Sequence, residues 1–136
     1  MELGRILLVD DDVEEYLILN EAFTRLGAGD VLEYAEGGRQ ALELLNRQFA
    51  ENGNIPELIV LDINMPALDG PATLALIRAD MRFKNIPVVV YSTSINPNDL
   101  EKCKDLGPCS SILKPSSMDE IISVGEALLA LCGTPV

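Results

Sequence analysis

Short apolar runs alternate with longer amphipathic stretches along this chain. Ile6-Leu7-Leu8-Val9, Leu58-Ile59-Val60-Leu61 and Val88-Val89-Val90-Tyr91 are continuous rather than alternating, as expected of parallel strands covered on both faces. Val31 to Ala35 and Ser111 to Leu113 are weaker runs that fit the same role. The stretches between them predict helices near 12–26, 38–51, 70–81, 97–105 and 117–131. Leu19, Ala22, Phe23 and Leu26 form a core stripe on the first, and Ile121, Val124, Leu128 and Leu131 do so on the last. Gly27 and Gly107 stand where helices end, while Gly70-Pro71 and Asn96-Pro97 stand where they begin. Strand–helix alternation of this kind predicts an α/β fold, with right-handed crossovers placing helices on both faces of a parallel sheet. One domain is expected over residues 1–136, frayed only at Thr134-Pro135-Val136, with no repeat, linker or output domain.

Composition narrows the function. Hydrophobic residues make up 48% of the 136, enough for one sizeable core. Ten Lys and Arg against 22 Asp and Glu leave a net charge of −12. That balance excludes a broad nucleic-acid footprint, which needs clustered cations, and adsorption to anionic lipid. No apolar run approaches the length of a bilayer span, and the N-terminus has no signal-peptide h-region. Cys103, Cys109 and Cys132 are an odd, widely spaced set. They read as reduced thiols of a cytoplasmic protein rather than as a disulfide frame or a zinc site. With no histidine in the chain, His-dependent triads and His-ligated metals are out.

Polar residues gather at the C-terminal ends of the predicted strands: Asp10-Asp11-Asp12, Asp62, Ser92-Thr93-Ser94 and Lys114-Pro115. Ligands of open α/β sheets bind at that edge. Two carboxylates about 4 Å apart repel by roughly 4 kcal/mol at an effective dielectric near 20. A hard divalent cation relieves the conflict, and an all-oxygen donor set selects Mg²⁺, with Mn²⁺ as a substitute. Lys114 and Ser92 could then hold phosphoryl oxygens, and Asp62 is the natural nucleophile.

Taken with Leu61-Asp62-Ile63-Asn64-Met65-Pro66-Ala67-Leu68-Asp69-Gly70, Pro87-Val88-Val89-Val90-Tyr91-Ser92-Thr93 and Leu113-Lys114-Pro115, the chain resembles a response-regulator receiver domain of two-component signalling. The resemblance covers roughly residues 4 to 132 and is to a stand-alone type. It implies a flavodoxin-like, doubly wound five-stranded parallel sheet of order 2-1-3-4-5. It also implies that Asp62 is the phosphoacceptor, Asp11 a direct Mg²⁺ ligand and Asp10 a ligand through a metal-bound water. The Asn64 backbone carbonyl would complete the protein ligands, while Ser92 and Lys114 bind the phosphoryl oxygens. Lys114-Pro115 resembles the family's cis peptide. One departure stands out: the position three before Lys114, often Tyr or Phe in the family, is Ser111.

The implied donor is a sensor histidine kinase or a histidine phosphotransfer protein, with a downstream protein as the receiver of the signal. Such a domain catalyses only its own phosphorylation and dephosphorylation. Asn52 to Pro56 and Arg82 to Pro87 resemble partners of phytochrome-like kinases. Glu14, Glu15, Ile18, Pro115 and Ser116 are the expected docking rim. Ile122 and Leu129, seven apart on the last helix, are expected to form an exposed apolar strip, and a homodimer would use the helix 4–strand 5–helix 5 face. An aspartyl phosphatase of the haloacid-dehalogenase type fits less well, because its nucleophile sits on the first strand. A phosphorylation-independent binding module on the same scaffold would be expected to lack site residues, and none is missing. Asp12 as a helix cap, Asp69-Gly70 as turn chemistry and the Asn64 side chain as a turn former are the plain structural readings of those residues.

Overall fold

A computed structural model describes residues 5–66 and 69–132. The readings at residues 1–4, at Ala67-Leu68 and at Thr134-Pro135-Val136 lie outside the described residues. Strands and helices alternate as β1 (Ile6–Val9), α1 (Val13–Arg25), β2 (Leu32–Ala35), α2 (Gly38–Asn52), β3 (Leu58–Leu61), α3 (Gly70–Ala79), β4 (Val88–Ser92), α4 (Pro97–Asp105), β5 (Cys109–Leu113) and α5 (Met118–Leu131). The strands form one parallel sheet in the order β2-β1-β3-β4-β5. This is the doubly wound, flavodoxin-like arrangement, and its order reverses beside β1.

Side-chain alternation divides the apolar runs between two cores. Leu7, Val9, Ile59, Leu61, Val88 and Val90 pack with Leu45, Leu74, Ile77 and Cys103 on the α2–α3–α4 side. Ile6, Leu8, Leu58, Val60, Val89 and Tyr91 pack with Leu19, Phe23, Ile121 and Leu128 on the α1–α5 side. Both faces of β1, β3 and β4 are therefore dry, which is why those strands read as unbroken apolar runs.

Four helices start on side-chain caps. Asp12, Asp69, Asn96 and Ser117 each accept a hydrogen bond from an amide of the first turn, a device that contributes about 1 kcal/mol per helix. Gly70 has a second duty. A Cβ there would lie 2.5 Å from Ile63 Cα, so only glycine lets α3 begin against the loop that follows β3.

Three details differ from the sequence reading. β5 begins at Cys109, two residues earlier than the apolar run, and as an edge strand it exposes Ser110, Ser111 and Leu113. On α5, Leu131 is 53% exposed rather than core. Ile122 and Leu129, expected as an exposed strip, are half-buried against the α1–α5 core. The cause is Gly125, where a Cβ would meet Leu26 Cδ1 at 3.0 Å. α1 approaches α5 at that gap, so the contact line runs Ile121–Gly125–Leu128–Cys132. Ile122 and Leu129 flank this line, and Leu131 falls outside it.

Candidate functional site

Strand register assembles the site. Val9 pairs with Leu61, so Asp10 and Asp62, each one residue further on, emerge side by side. Ser92 pairs with Leu113, which brings Lys114 to the same edge. The Lys114 amide also donates to Ser92 O at 2.9 Å, and the Asp62 amide to Val9 O at 2.9 Å.

Asp10, Asp62, Ser92 and Lys114 are joined in one network. Asp62, 7% exposed, accepts at Oδ1 from the Ser92 hydroxyl at 2.5 Å and from the Asn64 amide at 3.0 Å. Ser92 Oγ in turn accepts from the Ile63 amide at 3.0 Å. Asp10 is fully buried. Its Oδ1 accepts from the Asp12 amide at 2.9 Å, and its Oδ2 from Lys114 Nζ at 2.8 Å. Lys114 Nζ lies a further 3.8 Å from Asp62 Oδ2 and 3.3 Å from a Glu15 carboxylate oxygen. Asp11 is exposed at the mouth.

Burial pushes the Asp10 carboxyl above the ordinary aspartate value, against the pull of Lys114 and the Asp12 amide. Burial also opposes the Lys114 ammonium, but the bond to Asp10 and the charges of Asp10, Asp62 and Glu15 outweigh it, and its pKa is raised. Tyr34 donates to the Asp10 backbone carbonyl at 2.8 Å, and burial beside this acidic cluster pushes its phenol up to about 12. Burial leads the shifts of Asp10 and Tyr34, while geometry sets the pocket's one ammonium, Lys114, against the carboxylates of Asp10, Glu15 and Asp62.

Ligand oxygens of Asp10, Asp11 and Asp62 lie within 4.8 Å of one another. Such a set, all oxygen and short of positive charge, fits a hard divalent cation. The Asn64 side chain does more than form a turn. Its Nδ2 donates to Ser94 O at 2.8 Å, tying the loop after β3 to the loop after β4.

The expected cis bond at Lys114-Pro115 is not found. The described residues contain no cis peptide, so this bond is trans. Trans is the cheaper isomer by about 0.5–1 kcal/mol for X-Pro, and Lys114 reaches both carboxylates from it.

The expected docking residues are not all alike in position. Glu14 and Ser116 are exposed, Ile18 is 38% exposed, and Pro115 is half-buried. Glu15 instead lines the cleft through Lys114. Its place was readable, because it lies four before Leu19 and seven before Ala22, in line with the core stripe of α1. Val13 and Leu17, on the same stretch of α1, are more exposed than Ile18. The Tyr91 ring, 5.8 Å from Lys114 Nζ, had no sequence signal beyond its place in a strand.

A model of the response regulator receiver domain matches residues 6–125. The chain belongs to that family. It is 32% identical over 116 residues to the probable methanogenesis regulatory protein FilR2 of Methanothrix harundinacea, covering 85% of this chain and 75% of that protein. The crystal structure of the phosphorylated cyanobacterial phytochrome response regulator RcpA superposes with a TM-score of 0.83 at 30% identity, covering 99% of this chain and 98% of that one. The Mn²⁺-bound form of the response regulator Rcp1 superposes at 0.77 with 29% identity, over 98% and 97% of the two chains. Two longer relatives are matched over 34% and 15% of their length: a protein-glutamate methylesterase of Methanococcoides burtonii and the sensor histidine kinase CheAY of Helicobacter pylori. Among the described residues of this receiver domain, no helix is long and apolar enough to cross a membrane.

Proposed function

We propose that this receiver domain accepts a phosphoryl group from a phosphohistidine onto Asp62 and, so modified, changes its binding to a second protein or passes the phosphate on. The observation that carries this reading is the division of labour at Asp62. Its Oδ1 is held by Ser92 and the Asn64 amide, while Oδ2 faces Lys114 at 3.8 Å. A carboxylate fixed by one oxygen presents the other as an oriented nucleophile. Oδ2 forms the new O–P bond as the P–N bond of the donor imidazole breaks, and the electron pair leaves with the nitrogen.

Asp10, Asp11, Asp62 and the Asn64 backbone carbonyl would hold Mg²⁺, or Mn²⁺, which offsets the charge of the phosphoryl oxygens. Lys114 leaves Asp10 for one of those oxygens, and the Ser92 hydroxyl turns from Asp62 to another. Hydrolysis of the acyl phosphate by water ends the signal. The domain therefore acts on itself and on no separate substrate.

The donor is a sensor histidine kinase or a histidine phosphotransfer protein of the cytoplasm. It docks over Glu14, Ile18, Pro115 and Ser116, with Val13 and Leu17 extending the apolar part of that rim. Likeness to RcpA supports a phytochrome-like kinase as the upstream sensor. A homodimer through the α4–β5–α5 face would use Leu113, which is 61% exposed on the edge strand. Incubation with acetyl phosphate tests the chemistry without any kinase. The reading expects a label that requires Mg²⁺ or Mn²⁺ and is lost in hydroxylamine, and a metal-independent or hydroxylamine-stable label contradicts it.

A further inference from the structure

β1 and β2 run in parallel register from Ile6 opposite Leu32 to Val9 opposite Ala35. Backbone pairing between them ends where the Asp10 amide donates to Ala35 O at 3.2 Å. One further rung of a parallel ladder would bring the Gly37 amide to the Asp10 carbonyl. Gly37 instead serves as the N-cap of α2. Among the described residues no backbone amide takes that carbonyl, which belongs to a fully buried residue. A buried carbonyl without a partner is costly. The Tyr34 hydroxyl supplies the partner, donating to Asp10 O at 2.8 Å.

That bond runs along the sheet towards the carboxylates. Tyr34 sits opposite Leu8, so its side chain reaches two residues further along β1 to find Asp10. The Tyr16 ring of α1 stacks on it, with centroids 5.1 Å apart, and holds the phenol in this direction. The Asp10 carbonyl and the Asp11 amide belong to one planar peptide unit. Holding that oxygen therefore sets the plane from which Asp11 departs. The other two carboxylates are fixed directly: Asp10 by the Asp12 amide and Lys114, Asp62 by Ser92 and the Asn64 amide. Asp11 is exposed, and among the described residues its carboxylate has no hydrogen bond or ion pair. Its aim comes from the backbone alone.

We propose that Tyr34 is a positioning residue for the divalent cation: its hydroxyl holds the Asp10–Asp11 peptide so that the Asp11 carboxylate stays within 4.8 Å of those of Asp10 and Asp62. This role rests on the reading that these three carboxylates hold Mg²⁺ or Mn²⁺. Tyr34 bonds the peptide and not a carboxylate, so it acts through the ligands, as the outer partners of metal sites do. Its loss changes how tightly the ion is held and leaves Asp62 competent once the ion is bound.

Mn²⁺ binding to the full chain, read from the electron paramagnetic resonance of the free ion, tests this in Tyr34→Phe. That variant keeps the ring and its stack and removes only the hydroxyl. The Kd is expected to rise about three- to tenfold, the scale of one hydrogen bond. Acetyl-phosphate labelling should slow in proportion at limiting Mg²⁺ and return to the wild-type rate at saturating Mg²⁺. Ile121→Val, a core trim on α5 of similar cost to the fold, should leave the Mn²⁺ Kd within about twofold of wild type. An unchanged Kd in Tyr34→Phe, an equal rise in Ile121→Val, or slow labelling that saturating Mg²⁺ does not restore overturns the proposal and leaves the metal reading standing. A wild type that binds no Mn²⁺ overturns both.

Discussion

The Ser92 hydroxyl donates to Asp62 Oδ1 at 2.5 Å while accepting from the Ile63 amide at 3.0 Å. One buried side chain therefore joins β4 to the carboxylate and to the backbone that carries it. If the hydroxyl turned towards a phosphoryl group on Asp62, both contacts would be released together, which would carry chemistry at Asp62 to the loop after β4. Ser92→Ala strips the Ile63 amide of its partner in a dry site, at a cost of about 1–3 kcal/mol. Urea unfolding should show a loss of that size, slower acetyl-phosphate labelling should accompany it, and Ser92→Thr should restore most of both.

Crowding of Asp10, Asp11 and Asp62 predicts that metal stabilises the fold. With Mg²⁺ at ten times its dissociation constant, linkage gives about 1.4 kcal/mol of added stability. Thermal or urea unfolding with and without Mg²⁺ should show this gain in wild type and lose most of it in Asp11→Asn. An equal gain in both would place the ion elsewhere.

Glu15 and Ile18 sit three residues apart on α1 but should behave differently. Glu15 competes for Lys114 at 3.3 Å, so Glu15→Gln should speed labelling by acetyl phosphate severalfold. Ile18 touches only the rim, so Ile18→Asp should slow transfer from the cognate kinase by about tenfold or more, the scale of a buried apolar anchor, and leave the small-donor rate nearly unchanged. Rate measurements with both donors separate the two roles.

With Ser111 in place of an aromatic, no ring on β5 can follow Ser92. The Asn64 Nδ2–Ser94 O bond instead couples the site to the loop after β4. Hydrogen exchange with and without beryllofluoride should change most over 93–98, and less over 109–113. The reverse ranking would contradict this route.

Much of the architecture was legible because strands covered on both faces must be apolar at every position, and because the reactive residues sit where those strands end. Asp10, Asp62, Ser92 and Lys114 could be placed on one edge from the strand pattern alone. What escaped were features set by contact between elements. Gly125 moves the α1 contact line on α5, so Leu131 faces water while Ile122 and Leu129 pack inward. Edge position lets β5 carry Ser110 and Ser111, which hides its start from a hydrophobicity pattern. The ion pair of Glu15 with Lys114 joins α1 to the residue after β5, and no pattern along the chain marks that pairing.

The central claim is that Asp62 alone takes the phosphoryl group, and mapping the label tests it most directly. Wild type and Asp62→Asn are labelled with acetyl phosphate and Mg²⁺, reduced with borohydride, digested and sequenced by mass. The account predicts a borohydride-reduced residue at position 62 of the wild type, and no stoichiometric label anywhere in Asp62→Asn. Persistent stoichiometric labelling of Asp62→Asn, or a stable phosphate on Ser92 or Thr93, would contradict it.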